Sequence, residues 1–101
     1  MPIWTDSLIW CPSQCYAFDE QPDGTFTCLY LRWRWEDPWQ ACIIKGVPTN
    51  DPRASWPVLD FGPDVFENHG LFFYDFQLAL AKSALLYLYK TGEAPKVERN
   101  D

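Results

Sequence analysis

Hydrophobic and polar positions alternate most regularly between Thr25 and Lys45. There TFTCLYLRWRWEDPWQACIIK reads as two strand-forming runs around the polar break Glu36-Asp37-Pro38. β-Branched and aromatic residues favour strands, and proline suits a loop position that owes no hydrogen bond to a ladder. A loop at that break sets Trp35 opposite Trp39, Trp33 opposite Ala41, Leu31 opposite Ile43 and Leu29 opposite Lys45. Side chains alternate across a strand, so these pairs share one face, which reads as the core side. The other face carries Arg34 opposite Gln40, Arg32 opposite Cys42 and Tyr30 opposite Ile44, two arginines set among aromatics.

Upstream, Gln14–Glu20 alternates again and is followed by Gln21-Pro22-Asp23-Gly24, a four-residue turn by composition. Closing that turn places Phe18 opposite Thr27 and Tyr16 opposite Leu29, which assigns both rings to the core face. Residues Ile3–Trp10 fit neither the strand nor the helix period and read as a further strand or a packed arm. Gly46–Pro57 has the proline, glycine and Thr-Asn-Asp content of a linker. Gly62–Asn68 predicts a short helix with Pro63 at its first position and Gly70 after its end. Leu71–Lys90 predicts the main helix, with Phe73, Phe76, Leu80, Ala84, Tyr87 and Leu88 as its buried stripe, widened by Leu78, Ala81 and Leu85, and Gly92 as its stop. The fold class expected is therefore α+β: a three-stranded antiparallel meander, four-stranded if the first segment joins, covered on one face by a C-terminal amphipathic helix. Residues 1–92 form one compact domain in this reading, and residues 93–101 a frayed polar tail.

Composition changes this picture in one respect. Apolar residues make up 48% of the 101, enough for a folded core, but 18% are aromatic and six are Trp. Some of those rings are candidates for contact with a partner, where aromatics concentrate. The formal charge of −6 argues against a conventional nucleic-acid binder, which needs a basic stripe. The charge is also uneven. Asp6, Asp19, Glu20 and Asp23 occupy residues 1–31 and Asp60, Asp64, Glu67 and Asp75 occupy residues 59–81, both stretches lacking Lys and Arg. Arg32, Arg34, Lys45 and Arg53 lie between them. Two acidic lobes around a mildly basic sheet suit attraction to a basic protein surface.

The chemistry of catalysis is thin. His69 is the single histidine and falls between two predicted helices; there is no phosphate loop, dinucleotide fingerprint or HExxH. Glu36-Asp37 reads as turn and solubility residues. Cys11 and Cys15 are spaced CxxxC, without the two-residue gap of a zinc knuckle, and the hairpin register sets Cys42 four residues along from Cys28. Buried thiols are expected, with neither metal nor cofactor. The opening Met1-Pro2-Ile3-Trp4-Thr5-Asp6 lacks a basic start and a long apolar run, and Leu71–Tyr89 is interrupted by charge, so a cytoplasmic location away from any membrane is expected.

These features point to a non-enzymatic, small acidic protein-binding factor. The expected role is inhibition of a nucleic-acid-handling protein or nuclease by occupying its basic surface, without direct contact with nucleic acid. Phage counter-defence (anti-CRISPR-like) and toxin-immunity proteins share this size and charge, an analogy without a shared motif. The candidate partner-binding residues are Asp60, Asp64 and Glu67 with Asp19, Glu20 and Asp23 for steering, and Trp56, Arg32 and Arg34 for anchoring. Asp60, Asp64 and Glu67 share a face if helix extends back to Asp60, although Gly62-Pro63 interrupts it. The alternative is a structural subunit or a homo-oligomer, a homodimer being the simplest, whose aromatic surface is constitutively buried.

Overall fold

Four strands lie in the sheet in the order in which the chain makes them. The computed structural model describes residues 4–7, 13–33, 38–51, 54 and 61–95. Within these, β1 (Trp4–Ser7), β2 (Ser13–Glu20), β3 (Phe26–Trp33) and β4 (Gln40–Val47) form one antiparallel sheet, β1-β2-β3-β4. A short helix α1 (Val65–Asn68), a 3-10 turn (Asp75–Gln77) and the main helix α2 (Leu78–Thr91) follow. The architecture is α+β, and the segment of ambiguous period near the start supplies the fourth strand.

The β2–β3 connection is one residue longer than its composition suggests. The Gln21 amide donates to the Thr25 carbonyl (2.8 Å) and the Gly24 amide to the Gln21 carbonyl (3.0 Å). Asp23 then holds Thr25 inside the loop, accepting from its amide (2.9 Å) and its hydroxyl (2.6 Å). Gly24, at φ 84, takes the left-handed position that the turn needs. The strands therefore pair Phe18 with Cys28, Tyr16 with Tyr30, Ala17 with Leu29 and Cys15 with Leu31. This corrects the expected pairs Phe18–Thr27 and Tyr16–Leu29. A single-residue change of register sends every side chain of a strand to the opposite face, so Tyr16 and Phe18 leave the Leu29/Leu31 face and Cys15 and Ala17 take their place.

The β3–β4 register also differs, by two residues, pairing Leu31 with Ala41, Leu29 with Ile43, Arg32 with Gln40 and Tyr30 with Cys42. An even shift leaves the faces unchanged, so Leu29, Leu31, Ala41 and Ile43 still share one side. The expected loop residues Glu36-Asp37, with Arg34 and Trp35, lie outside the described residues. Between Cys28–Ile44 and Phe26–Val47 the ladder slips, leaving Lys45 and Gly46 opposite Thr27, with Gly46 at φ 72.

Both faces of the sheet are buried. On the first, Cys15, Ala17, Leu29, Leu31 and Ala41 meet Ala81, Ala84, Leu85 and Leu88 of α2, together with Trp39, Phe66 and Phe73. Trp33 packs at the edge of this cluster, partly buried, and Ala94 packs there as well, which sets at least this residue of the expected tail on the core. On the second face, Tyr16, Cys28, Tyr30, Cys42, Ile44 and Val47 form a separate cluster, flanked by Phe18, Phe26 and Phe61. The face expected to be mixed and open is thus a second core. Phe61 lies over Tyr30 with ring centroids 4.8 Å apart.

Helix α2 starts at Leu78 rather than Leu71, and its buried stripe is Ala81, Ala84, Leu85 and Leu88. Phe76, Leu80 and Tyr87, expected in that stripe, are exposed. The reason is angular: each helical residue turns about 100°, so Leu80 and Tyr87, seven apart, lie together on the flank of the stripe. Gly92, at φ 72, ends the helix and donates to the Leu88 carbonyl (2.8 Å). The same end is clamped to the sheet by Tyr89, whose hydroxyl donates to Asp19 Oδ2 (2.5 Å) and accepts from Gln21 Nε2 (3.0 Å). Near the other end, Lys82 Nζ sits 5.6 Å from the ring centroid of Trp4. Among the described residues, no helix is long and apolar enough to cross a membrane.

Candidate protein interface

The stretch Gly70–Gln77 joins the two helices, and its conformation determines what the molecule displays. α1 closes with the Gly70 amide on the Glu67 carbonyl (3.1 Å) and the Leu71 amide on the Phe66 carbonyl (2.8 Å). The chain then continues outside helix and strand to Tyr74, whose own backbone is extended. Phe73 is buried, its ring 5.0 Å from that of Phe66. Phe72 and Tyr74, on either side of it in sequence, face solvent instead, and Phe76 continues the row from the 3-10 turn. Phe72 is 58% exposed, Tyr74 54% and Phe76 81%.

These rings form a continuous strip. Phe72 meets Tyr74 edge to face (centroids 5.1 Å, interplanar angle 76°), and Tyr74 stacks parallel to Phe76 (5.8 Å, 4°). Leu80 and Tyr87, the flank of α2, are exposed as well. The backbone beneath is held on both sides. The Trp39 amide donates to the Phe73 carbonyl (2.9 Å), Trp39 Nε1 to the Asp75 carbonyl (3.3 Å) and the Tyr74 amide to Gln77 Oε1 (2.8 Å). Asp75 lies within the strip, with Oδ1 accepting from the Phe76 amide (3.0 Å). An adjoining cleft of about 420 Å³ is lined by Trp39, Asp64, Glu67, Leu71 and Phe72 among others. The result is a contiguous exposed apolar surface on a fixed backbone, bordered by carboxylates.

The residues singled out from sequence are distributed differently. Asp19, Glu20 and Asp23 cluster at the β2–β3 loop. Asp19 is committed to Tyr89 and Asp23 to Thr25, whose hydroxyl and amide hold the Asp23 carboxyl below its ordinary pKa, while Glu20 is exposed. Asp64 and Glu67 lie toward the opposite end of β3, where Arg32 also sits. The five residue steps from Thr27 to Arg32 span about 17 Å at ~3.3 Å per step. Asp64 caps α1: its Oδ1 accepts from the Phe66 amide (3.1 Å) and from the edge amide of Ala41 in β4 (3.0 Å). Helix therefore starts only after Asp64, and the condition for a three-carboxylate row on it, helix reaching back to Asp60, is not met, in keeping with the break at Gly62-Pro63. Glu67 is exposed on α1. Asp60, Trp56 and Arg34 lie outside the described residues.

Arg32 is partly buried, not displayed on an open outer face, because that face is the second core. Its Nη2 donates to Gln40 Oε1 (2.8 Å), and it shares a cavity of about 250 Å³ with Tyr30, Cys42, Phe61 and Asp64. Burial, with a smaller contribution from Asp64 that Arg32 opposes, raises the Cys42 thiol to about 11. Burial, then the neighbouring Cys42, raises Cys28 to about 12. The register sets Cys42 opposite Tyr30, two residues from Cys28 instead of the expected four, while Cys15 lies on the helix-covered face. Such thiols are poor nucleophiles at neutral pH. Cys11 lies outside the described residues. Among the described residues, no group of three or more His, Cys, Asp or Glu side chains could hold a metal ion. His69 is exposed, at the end of α1.

The residues the sequence reading missed are Phe72, Tyr74 and Asp75, along with the exposure of Phe76, Leu80 and Tyr87. The available signal was the every-second-residue spacing of Phe72, Tyr74 and Phe76 ahead of Gln77. Comparison of the chain with protein-family models, curated proteins and solved structures finds no match.

Proposed function

We propose that the chain is a small, non-enzymatic, acidic protein-binding factor. It acts in the cytoplasm by occupying a basic surface, with a nucleic-acid-handling protein or nuclease as the target class and inhibition as the consequence. The observation that carries this reading is the exposed aromatic strip Phe72–Tyr74–Phe76 with Asp75 inside it and Glu67 nearby, on a molecule of formal charge −6. A partner must cover large rings and tolerate the surrounding carboxylates, and a basic protein surface does both. Proteins that handle nucleic acid carry such surfaces to bind phosphate backbones.

The division of labour differs from the sequence expectation. The exposed carboxylates Glu20 and Glu67 are available for steering, whereas Asp19, Asp23 and Asp64 are engaged in hydrogen bonds within the fold. Rim charges act mainly on association rate and its salt dependence; desolvated anchors act mainly on dissociation. The test begins with co-purification at low salt and identification of the captured protein, followed by surface plasmon resonance and a cleavage assay with the purified partner. The expected result is inhibition, and an association rate that falls, with a flatter salt dependence, when Glu20 and Glu67 are changed to Lys. Capture of another copy of the chain alone, or binding of duplex DNA by the isolated chain, would refute this function.

A further inference from the structure

The strip has a chemistry that favours one kind of side chain. Tyr74 and Phe76 are parallel with centroids 5.8 Å apart, closer than the roughly 7 Å that a group sandwiched between them would need at ~3.5 Å contact on each side. A ligand group therefore seats on an outer ring face, and Phe76, the most exposed of the rings, offers the largest. Ring faces carry the negative side of the aromatic quadrupole and attract cations, arginine more often than lysine. Asp75 adds a formal negative charge within the strip, and the cleft beside Phe72 is bordered by Glu67 and Asp64. No Lys or Arg occurs anywhere from residue 59 to residue 81.

Charge decides among the possible occupants. A second copy would bring Asp75 and Glu67 against like charges, and phosphates, whether of nucleic acid or of lipid headgroups, would meet the same repulsion. A planar guanidinium fits both halves of the surface, since it stacks on aromatic faces and pairs with a carboxylate. Resting on the reading of the chain as a factor for basic protein surfaces, we infer that the strip takes an arginine-bearing segment of the partner. One guanidinium stacks on the outer face of Phe76 and ion-pairs with Asp75, and the segment continues past Phe72 into the cleft edged by Glu67. The hydrogen bonds from Trp39 and to Gln77 hold the display in place before binding, which limits the ordering cost of association.

The probe is a fluorescein-labelled Gly-Ser peptide carrying three spaced arginines, compared by fluorescence anisotropy with versions in which every arginine is lysine or neutral citrulline. The full chain is used at low salt. The expected result is saturable binding of the arginine peptide, weaker binding of the lysine peptide and loss of about tenfold or more with citrulline. The Tyr74→Ala/Phe76→Ala double variant should lose about tenfold, and Asp75→Asn severalfold, with unchanged circular dichroism. Asn50→Ala, at an exposed position beyond the far end of β4, should bind as wild type. The inference is overturned by absence of saturable binding, by a citrulline peptide that binds equally well, or by a folded double variant that retains affinity. It is equally overturned if the chain sediments as a dimer that Phe76→Glu dissociates, for then a second copy covers the strip. The two readings fail separately. A partner protein bound as tightly by the double variant overturns this surface and leaves the function standing; peptide binding at the strip without any basic protein partner does the reverse.

Discussion

Replacing Asp64 with Ala separates a structural carboxylate from a partner-binding one. A single oxygen, Oδ1, accepts from two backbone amides belonging to different elements, Phe66 in α1 and Ala41 on the edge of β4. Losing the cap costs about 0.5–2 kcal/mol. The Ala41 amide belongs to a residue with no exposed surface, so leaving it without an acceptor costs a further ~1–3 kcal/mol. The two losses overlap, and about 2–4 kcal/mol is expected, a large part of the ~5–15 kcal/mol that stabilises a typical domain. In urea, with a slope of about 1.5 kcal/mol/M, a 3 kcal/mol loss moves the midpoint by about 2 M without changing the slope. Asp64→Asn retains an acceptor and forfeits only the charge assistance, about 1 kcal/mol. Glu67→Ala, at an exposed site, should lie within about 0.5 kcal/mol of wild type. An Ala variant within that same margin, or an Asn variant as unstable as Ala, would show that Asp64 does not clip the helix to the sheet.

Three further outcomes can be measured. Leu85→Ala should cost about 2–5 kcal/mol by urea unfolding, whereas Leu80→Ala should stay within about 0.5 kcal/mol; similar values would mean that the helix presents a different face. Tyr89→Phe removes the hydroxyl shared by Asp19 and Gln21 and should cost about 1–3 kcal/mol, with amide exchange accelerating in the last turn of α2; unchanged exchange there would refute the clamp. Cys28 and Cys42 are raised to about 12 and about 11 in the folded chain against an ordinary 9.0. The unfolded state therefore releases these protons first, and stability should fall as pH rises from about 9 through the folded values. A Cys28→Ala/Cys42→Ala variant whose alkaline unfolding profile matches wild type in steepness would contradict this.

How far each feature could be read from sequence depended on whether a local or a non-local fact determined it. The strands were legible because alternation and the Pro-Asp-Gly turn are local signals. Their facing was not, because it hung on whether Thr25 belongs to strand or loop, and only the hydrogen bonds to Asp23 settle that. One residue moved Tyr16 and Phe18 to the far side of the sheet, whereas the two-residue error at β4 moved nothing across. The helix was legible, but its start was not: Phe73 and Phe76 are spaced as a helical pair, although Phe73 lies outside any helix and Phe76 in the 3-10 turn. Periodicity finds apolar residues on a common side. It does not say whether another element arrives to cover them, and for Phe72, Tyr74, Phe76, Leu80 and Tyr87 none does within the described chain.

A sheet apolar on both sides also sets a schedule for synthesis. β1 to β4 pair in the order they are made, so the whole sheet can assemble once Val47 has emerged. Phe61 for one side, and Ala81, Ala84, Leu85 and Leu88 for the other, come later in the chain. At about 5–20 residues per second, the interval between Val47 and Leu88 is roughly 2–8 s. During that interval a finished sheet stands with Leu29 and Leu31 bare, and early on Tyr30 and Ile44 as well. Pairing the strands therefore does not end the nascent chain's exposure to aggregation, and termination of translation between those two points would release a sheet without its helical cover.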